Sequence, residues 1–198
     1  MRTPAGLRFS RLLPGLFLFG LALALTVEAD LGTNPWTVFH QGASERLGVS
    51  IGTMVIVTGA ILLLLFRPIR EPLGLGTLLN VAVIGPAVDL SLYLIPDLTQ
   101  MWQRIGALAV SPVLLGLASG LYIGAGLGPG PRDGLMTALE RRGVKVSTAR
   151  LLIETTALTV GWLLGGTVGV GTVYFAFSVS FWVRVFLPPL RIDPLRVG

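Results

Sequence analysis

Six long apolar stretches, separated by short polar connections, constrain the fold of this chain more than any other feature of its sequence. A helix needs about 20 consecutive apolar residues to span the hydrocarbon core of a bilayer. Only 13% of the 198 residues are charged, well below the roughly 25% of soluble domains. The sequence therefore predicts an all-α, polytopic membrane protein with six transmembrane helices. The stretches lie at about 12–29, 51–67, 74–95, 105–125, 148–165 and 169–187.

The distribution of basic residues predicts how the chain is oriented in the membrane. Lys and Arg are concentrated in the cytoplasmic loops of membrane proteins. In this chain the N-terminal segment, the second and fourth connections and the C-terminal segment are rich in basic residues, whereas the other connections carry one or none. This alternation predicts an even number of spans with both termini in the cytoplasm.

The net charge of +5 would suggest nucleic-acid binding if the chain were soluble. Because the basic residues lie in short connections beside apolar stretches, we interpret them as topology signals that also attract anionic lipid head groups. The expected partner of these side chains is the lipid bilayer, and no nucleic acid is expected.

The sequence contains an internal repeat. Residues 20–36 (GLALALTVEADLGTNPW) match residues 116–132 (GLASGLYIGAGLGPGPR) at eight positions, each 96 residues apart. After a slip of one residue the matches continue at a spacing of 95. These later matches pair ERLGVSIGT (45–53) with ERRGVKVST (140–148), and GLGT (74–77) with GVGT (169–172).

The repeat predicts two units, residues 1–96 and residues 97–198, with three spans each. Because three is an odd number, the second unit would enter the membrane from the opposite side to the first. The two units would then be inverted repeats related by a pseudo-two-fold axis in the membrane plane, an arrangement known in secondary transporters.

Each unit has a Gly- and Pro-containing break after its first span. Proline is favoured at the first position of a helix, so we expect short helices at about 35–47 and 131–142. Each could lie at the membrane interface or form a re-entrant helix that lines a cavity. In the second case its N-terminus, with free N–H groups, could hold an anion.

We expect substrate-binding residues in the two breaks and at the start of the fifth span. Arg150 and Glu154 are four residues apart and therefore share one helix face. They are either a structural pair near the cytoplasmic surface or a substrate- or proton-coupling pair with Arg184 as a partner on another helix. The candidate binding residues are Asn34, Pro35, Trp36, His40, Pro131, Arg132, Asp133, Arg150 and Glu154.

Three further ionisable residues lie within apolar stretches, namely Glu28, Asp89 and Arg184. Charged residues inside membrane spans are costly and tend to face the interior of a helix bundle. They are therefore candidate intramembrane charge partners. Asp89 and Arg184 occupy equivalent repeat positions, so in an inverted repeat they would lie towards opposite membrane faces and would not pair with each other.

The residue types that catalysis most often uses are scarce. The chain has no cysteine and a single histidine, His40, which disfavours thiolate or histidine metal sites, a cysteine nucleophile and a Ser-His-Asp triad. The strict nucleotide-binding glycine patterns are missing as well. We therefore expect no enzymatic activity, no cofactor and no bound metal.

Four segments resemble the YczE-like family of membrane proteins, within the broader group that includes YitT-like proteins. The resemblance implies a small multi-span bacterial protein, which we expect in the inner membrane. Its members have no well-defined molecular activity, so the resemblance bears on fold and location. The segments are LGTNPWTVFHQGAS (31–44), LGPGPRDGLMTAL (127–139), ARLLIETTALTVGWLLGG (149–166) and GVGT (169–172).

The resemblance also implies which candidate residues belong to the family pattern. Many relatives carry Asp after the Trp of the first break, whereas this chain has Thr37. Asp133 therefore has no acidic equivalent, which argues against a symmetric two-acid site. The residues that match the family pattern are Pro35, Trp36, Pro131, Arg132, Asp133, Arg150 and Glu154.

These observations favour a small secondary transporter or permease with a binding site for a small molecule between the two repeats. The alternative is a non-transporting membrane protein that anchors or assists another complex. A homodimer is compatible with either function.

Overall fold

The structure, a computed structural model, describes residues 5–69, 73–128 and 130–192, and every regular element in these residues is a helix. Each of the six predicted apolar stretches coincides with a long helix, and a short helix follows each break. The helices are α1 (Ala5–Ala29), α2 (Pro35–Leu47), α3 (Ile51–Ile69), α4 (Leu75–Leu94), α5 (Met101–Gly124), α6 (Pro131–Glu140), α7 (Val146–Leu164) and α8 (Val170–Leu190).

Four helices, α1, α4, α5 and α8, are long and apolar enough to cross a membrane. Helices α2 and α3 pass the same test together, bent by 111° at the turn that joins them, so the described residues contain four or five candidate spans. Helix α7 is less apolar than these because it carries Arg150, Glu154 and several threonines. An all-α protein with several candidate membrane spans is therefore confirmed, whereas the six-span inverted repeat stays a prediction.

Both short helices begin at the proline that the sequence indicated. Asn34 caps α2, because its side-chain oxygen accepts a hydrogen bond of 3.1 Å from the backbone N–H of Thr37. Helix α2 ends at Gly48, whose φ of 66° is left-handed, a common helix ending. Helix α6 begins at Pro131 and ends at Glu140, two residues before the predicted end.

Helices α1 and α5 pack against each other at the centre of the molecule, with α4 on the outer side of α1 and α8 on the outer side of α5. Glycines allow the close approach in both outer pairs. Gly20 of α1 faces Ala87 and Val88 of α4, and Gly116 of α5 faces Trp182 of α8. Residues of α1 and α2 thus correspond to residues 96 positions later in α5 and α6, and residues of α3 and α4 to residues 95 positions later in α7 and α8. We call such residues equivalent.

The short helices pack inside the molecule rather than on its surface. Helix α2 lies against α3 and α7 and buries Thr37, Val38, His40 and Gly42, among others. Helix α6 lies against the same two helices, and Gly134 of α6 approaches the ring of Phe66. Both short helices thus pack against long helices, and whether they are interfacial or re-entrant stays a matter of prediction.

Each break contacts the start of the last helix of the other half. The backbone N–H of Gly171 donates a hydrogen bond of 2.7 Å to the carbonyl of Leu31, and the N–H of Gly76 donates one of 2.8 Å to the carbonyl of Leu127. The two donors are equivalent residues, and so are the two acceptors. The break of each half is therefore bound by the last helix of the other half, and the two contacts correspond.

The two halves differ in the packing of their last two long helices. In the first half α3 packs closely on α4, where Gly52 faces Gly85 and Gly59 faces Val81. In the second half the equivalent helices, α7 and α8, have at most marginal contact within the described residues. A cavity lies between them.

Candidate functional site

The space between α7 and α8 belongs to a cavity of about 480 Å³, which we call the large cavity. Helices α1, α5 and α6 and the start of α2 complete its walls. Its volume lies within the range of about 300–1,000 Å³ that is usual for small-molecule sites. Seven of the nine candidate binding residues line it: Asn34, Pro35, Trp36, Arg132, Asp133, Arg150 and Glu154.

A second, much smaller cavity of about 40 Å³ adjoins the first, and we call it the small cavity. The other two candidates, His40 and Pro131, line it together with residues of α1, α3 and α4. Trp36 and Arg132 border both cavities. The structure thus brings all nine candidates to one region, although this proximity does not test what they bind.

Arg132 lies between two aromatic rings. Its guanidinium carbon is 5.8 Å from the ring centre of Phe19 on α1 and 5.6 Å from that of Trp36 on α2. These distances suit cation–π attraction. The side chain of Arg132 is thereby held at the boundary between the two cavities.

Asp133, the next residue of α6, points to the same region. Its carboxylate accepts a hydrogen bond of 3.1 Å from the hydroxyl of Tyr122, a buried residue of α5 that also lines the large cavity. Tyr122 packs edge-on against Phe19 at 5.8 Å. Neither aromatic residue was predicted from the sequence, although the phenol of Tyr122 is a polar group in an otherwise apolar stretch and is a signal that could have indicated it.

Arg150 and Glu154 form the predicted ion pair on one face of α7, with 2.9 Å between Nε and Oε1. Their side chains are 51% and 32% exposed. Both line the large cavity. Charged side chains that face a cavity cost less in a membrane protein than charged side chains that face lipid.

His40 is 6% exposed and lies against Trp36 and Phe39, at ring distances of 6.3 and 5.8 Å. Neither ring nitrogen has a hydrogen-bond partner among the described residues. A buried polar group without a partner costs about 1–3 kcal/mol. The burial of His40 is therefore unfavourable in this conformation.

The three candidate charge partners Glu28, Asp89 and Arg184 line neither cavity. Asp89 accepts hydrogen bonds from Ser50 Oγ at 2.6 Å and from the N–H of Gly52 at 2.8 Å, and so fastens the start of α3 to α4. Glu28 is half-buried near the end of α1, and Arg184 is exposed on α8. Arg184 is not brought to the Arg150–Glu154 pair.

The described residues offer no group of three or more His, Cys, Asp or Glu side chains placed to hold a metal ion. The charged groups of the large cavity are two guanidinium and two carboxylate groups, from Arg132, Arg150, Asp133 and Glu154. This arrangement can bind and orient a small polar molecule.

Comparison with known proteins gives one family and several relatives. A family model described as "Family of unknown function (DUF6198)" matches residues 7–188. An "Uncharacterized protein" of Haemophilus influenzae is 35% identical over 179 residues, 90% of this chain and 82% of the relative. The "Uncharacterized membrane protein YczE" of Bacillus subtilis is 33% identical over 193 residues, 95% of this chain and 89% of the relative. No solved structure matches the chain.

A third relative, the "Uncharacterized protein YyaS" of Bacillus subtilis, is 25% identical over 182 residues. The match covers 88% of this chain and 89% of the relative. The match to YczE and the family model confirm the resemblance to the YczE-like family that the sequence motifs indicated.

Proposed function

This chain belongs to the DUF6198 family, as does its relative YczE, and from that premise we propose that it is a small secondary transporter. It would move a small molecule through a site between two inverted repeats in the inner membrane of a bacterium. Both termini would lie in the cytoplasm, and the protein would use no cofactor and catalyse no reaction.

The reciprocal contacts of the two breaks support the inverted repeat. A contact from the first half to the second that recurs from the second half to the first is what a two-fold axis between the halves produces. Three helices in each half would cross the membrane, α7 among them, since its two charges face a cavity. With three crossings per half, the axis would lie in the membrane plane.

The observation that carries the proposal is that the two cavities are built from equivalent residues. Seven residues on α3 and α4 line the small cavity, and five of them have equivalents in the large cavity: Val55, Gly59, Asn80, Val81 and Ile84. Those equivalents, 95 positions later on α7 and α8, are Arg150, Glu154, Phe175, Ala176 and Val179.

The same spaces are thus open in one half and closed in the other. Inverted repeats that adopt different conformations expose a shared site to one side of the membrane. If the halves exchange conformations, α7 closes on α8 while α3 separates from α4. The small cavity then opens, the large one closes, and the site faces the opposite side.

His40 fits this exchange. It lines the small cavity with both ring nitrogens unpaired, and opening that cavity would give them water or a ligand as a partner. The cost of burying them now would be recovered in the other conformation. The equivalent position on α6, also the sixth residue of its helix, is Met136, which already lines the open large cavity.

Single cysteines test the proposal, because the chain has none of its own. Ala176→Cys places a thiol in the large cavity, and Val81→Cys places one at the equivalent closed position. We expect a membrane-impermeant maleimide to label the first from one side of the membrane and the second, more slowly, from the other. Right-side-out and inverted vesicles distinguish the sides.

Two results would contradict the proposal. Labelling of both cysteines from the same side would mean that the halves are not inverted. Failure to label Val81→Cys at all, while a cysteine at exposed Leu64 or Leu94 is labelled in detergent, would mean that α3 and α4 do not separate. A role as an accessory partner of another complex is the alternative that would then remain.

A further inference from the structure

Four charged side chains line the large cavity. Among them, that of Arg132 has no hydrogen bond or ion pair with a described residue. The other three charged residues are engaged. Arg150 pairs with Glu154, and Asp133 accepts a hydrogen bond from Tyr122. The contacts recorded for Arg132 are the rings of Phe19 and Trp36.

Contact with ring faces leaves the N–H groups of a guanidinium free. The planar group has five donors, and two of them can bind one carboxylate or phosphate at once. Cation–π contacts hold the plane in place without occupying those donors. Arg132 is therefore pre-organised for an anion that enters the cavity.

The rest of the large cavity is mainly apolar. Leu115 and Ile123 of α5 and Phe175 and Val179 of α8 contribute aliphatic and aromatic surface. Small-molecule sites typically combine such surface with a few polar groups that fix the orientation of the ligand. A ligand that suits this cavity has one compact anionic group and an apolar body.

We propose that the site binds a small organic anion, a carboxylate or a phosphate monoester with an apolar body, through the guanidinium of Arg132. This inference rests on the proposed function for the role of the site, but it concerns the ligand alone. Because Arg132 borders both cavities, the anion would keep its contact with Arg132 when the large cavity closes and the small cavity opens.

Four probes with the same phenyl body test the charge preference on the wild-type protein. Benzoate and phenyl phosphate carry the two anionic groups, benzyl alcohol is neutral and benzylamine is cationic. A ligand that binds the folded state raises the melting temperature, and at one concentration a tighter ligand raises it more. We expect millimolar benzoate, phenyl phosphate or both to raise the melting temperature, and the alcohol and the amine to leave it unchanged.

Variants of Arg132 test the residue. We expect Arg132→Gln to weaken binding of the stabilising anion at least 10-fold and Arg132→Lys to weaken it less, because Lys keeps the charge but not the planar donor set. Arg184→Gln removes an exposed arginine outside both cavities and should bind the anion like the wild type. If Arg132→Gln fails to fold, the comparison of the four probes on the wild type still decides whether the site prefers anions.

The inference is overturned if benzylamine or benzyl alcohol stabilises the wild type as strongly as the anions, if no probe does, or if Arg132→Gln binds the anion unchanged. These outcomes are separate from those of cysteine labelling. Anion binding without two-sided labelling would leave this inference standing and remove transport. Two-sided labelling without anion binding would support transport and overturn this inference.

Discussion

Arg132 and Trp36 occupy the same position, the second residue, in the two short helices, and their side chains are in contact. The guanidinium carbon of Arg132 lies 5.6 Å from the ring centre of Trp36. The starts of α2 and α6 therefore meet, one from each half of the chain. The contact separates an open space between α7 and α8 from a closed one beside α3 and α4.

This contact bears on how a site could be shared by both halves. Equivalent positions carry an aromatic ring in one half and a cation in the other, so the pair attracts, whereas two arginines would repel. A site that serves two conformations needs a group that stays at its centre in both. Arg132 and Trp36 border both cavities and meet that requirement.

Locking α3 to α4 should stop transport without stopping binding. A Cβ atom at Gly59 would lie 3.4 Å from Cβ of Val81, close to the roughly 3.5–4.5 Å that a disulfide requires. We expect oxidised Gly59→Cys/Val81→Cys protein to be stabilised by benzoate like the wild type. Its uptake of radiolabelled benzoate into proteoliposomes should be lost, because the small cavity cannot open.

A reducing agent should restore the uptake of the double variant. The single variants Gly59→Cys and Val81→Cys are the controls and should transport under oxidising conditions, since no other cysteine is present. Uptake that persists in fully cross-linked protein would show that separation of α3 from α4 is not part of transport.

Much of this site could be predicted from the sequence, because local signals are strong in a chain of this kind. Apolar length predicted the long helices, and proline at a helix start predicted where α2 and α6 begin. The spacing of Arg150 and Glu154 predicted their ion pair. These features depend on residues that are close together along the chain.

Features that depend on how helices meet could not be predicted. Phe19 is an aromatic residue in an apolar span, so nothing in the pattern separates it from residues that face lipid. The gap between α7 and α8 is equally hidden, since the equivalent helices α3 and α4 are in contact. A repeated sequence indicates equivalent residues but not different conformations of the two halves.

Alanine at the glycines of the two breaks should destabilise the protein. Gly32 and Gly128 have φ values of 98° and 121° and lie against the other half, at Thr172 and Thr77 respectively. A left-handed conformation costs a non-glycine residue about 1–2 kcal/mol, and the added methyl group also collides with neighbouring atoms. We expect Gly32→Ala and Gly128→Ala each to cost at least about 2 kcal/mol, measured by thermal unfolding in detergent.

Two other glycines provide controls for these variants. Gly48 has a φ of 66° but open space around it, and Gly106 lies in α5 with open space as well. Gly48→Ala should show the backbone cost alone, about 1 kcal/mol. Gly106→Ala should be neutral or slightly stabilising. If Gly48→Ala and Gly32→Ala lose the same stability, the contact between the halves adds nothing to the cost of the substitution at Gly32.

Asp89→Asn should lower stability because Asp89 fastens the start of α3. Its carboxylate accepts hydrogen bonds from Ser50 and from the backbone of Gly52, and an amide can replace only part of this acceptor capacity. We expect a loss of about 1–3 kcal/mol. Arg184 is the equivalent residue of the second half and is exposed. Arg184→Gln should therefore change stability by no more than about 0.5 kcal/mol. Comparable losses in both variants would contradict the role of Asp89.

Glu154→Gln should affect transport far more than stability. A partly exposed ion pair contributes about 0.3–0.5 kcal/mol on a helix, so the melting temperature should hardly change. When α7 closes on α8, however, Arg150 would be buried without its counter-ion, which is strongly unfavourable. We expect uptake of benzoate to fall about 10-fold or more, in line with a cost of 1.4 kcal/mol per factor of ten.

The double variant Arg150→Gln/Glu154→Gln is the matched control. It removes both charges together, so no unpaired charge is buried on closure and part of the uptake should return. An uptake lower than that of Glu154→Gln alone would indicate that Arg150 itself contacts the substrate.

Tyr122→Phe should weaken anion binding although Tyr122 carries no charge. The hydroxyl donates a hydrogen bond of 3.1 Å to the carboxylate of Asp133. Without that donor the carboxylate gains freedom to approach the neighbouring Arg132 and compete with the ligand for its N–H groups. We expect the affinity for benzoate to fall several-fold, measured by the shift of the melting temperature at increasing benzoate concentration.

The double variant Tyr122→Phe/Asp133→Asn separates this competition from a packing effect. Because asparagine cannot form an ion pair with Arg132, removing the carboxylate should restore the affinity for benzoate to at least the wild-type level. If the double variant binds benzoate as weakly as Tyr122→Phe, the hydroxyl acts through packing against Phe19 instead, and Asp133 does not compete with the ligand.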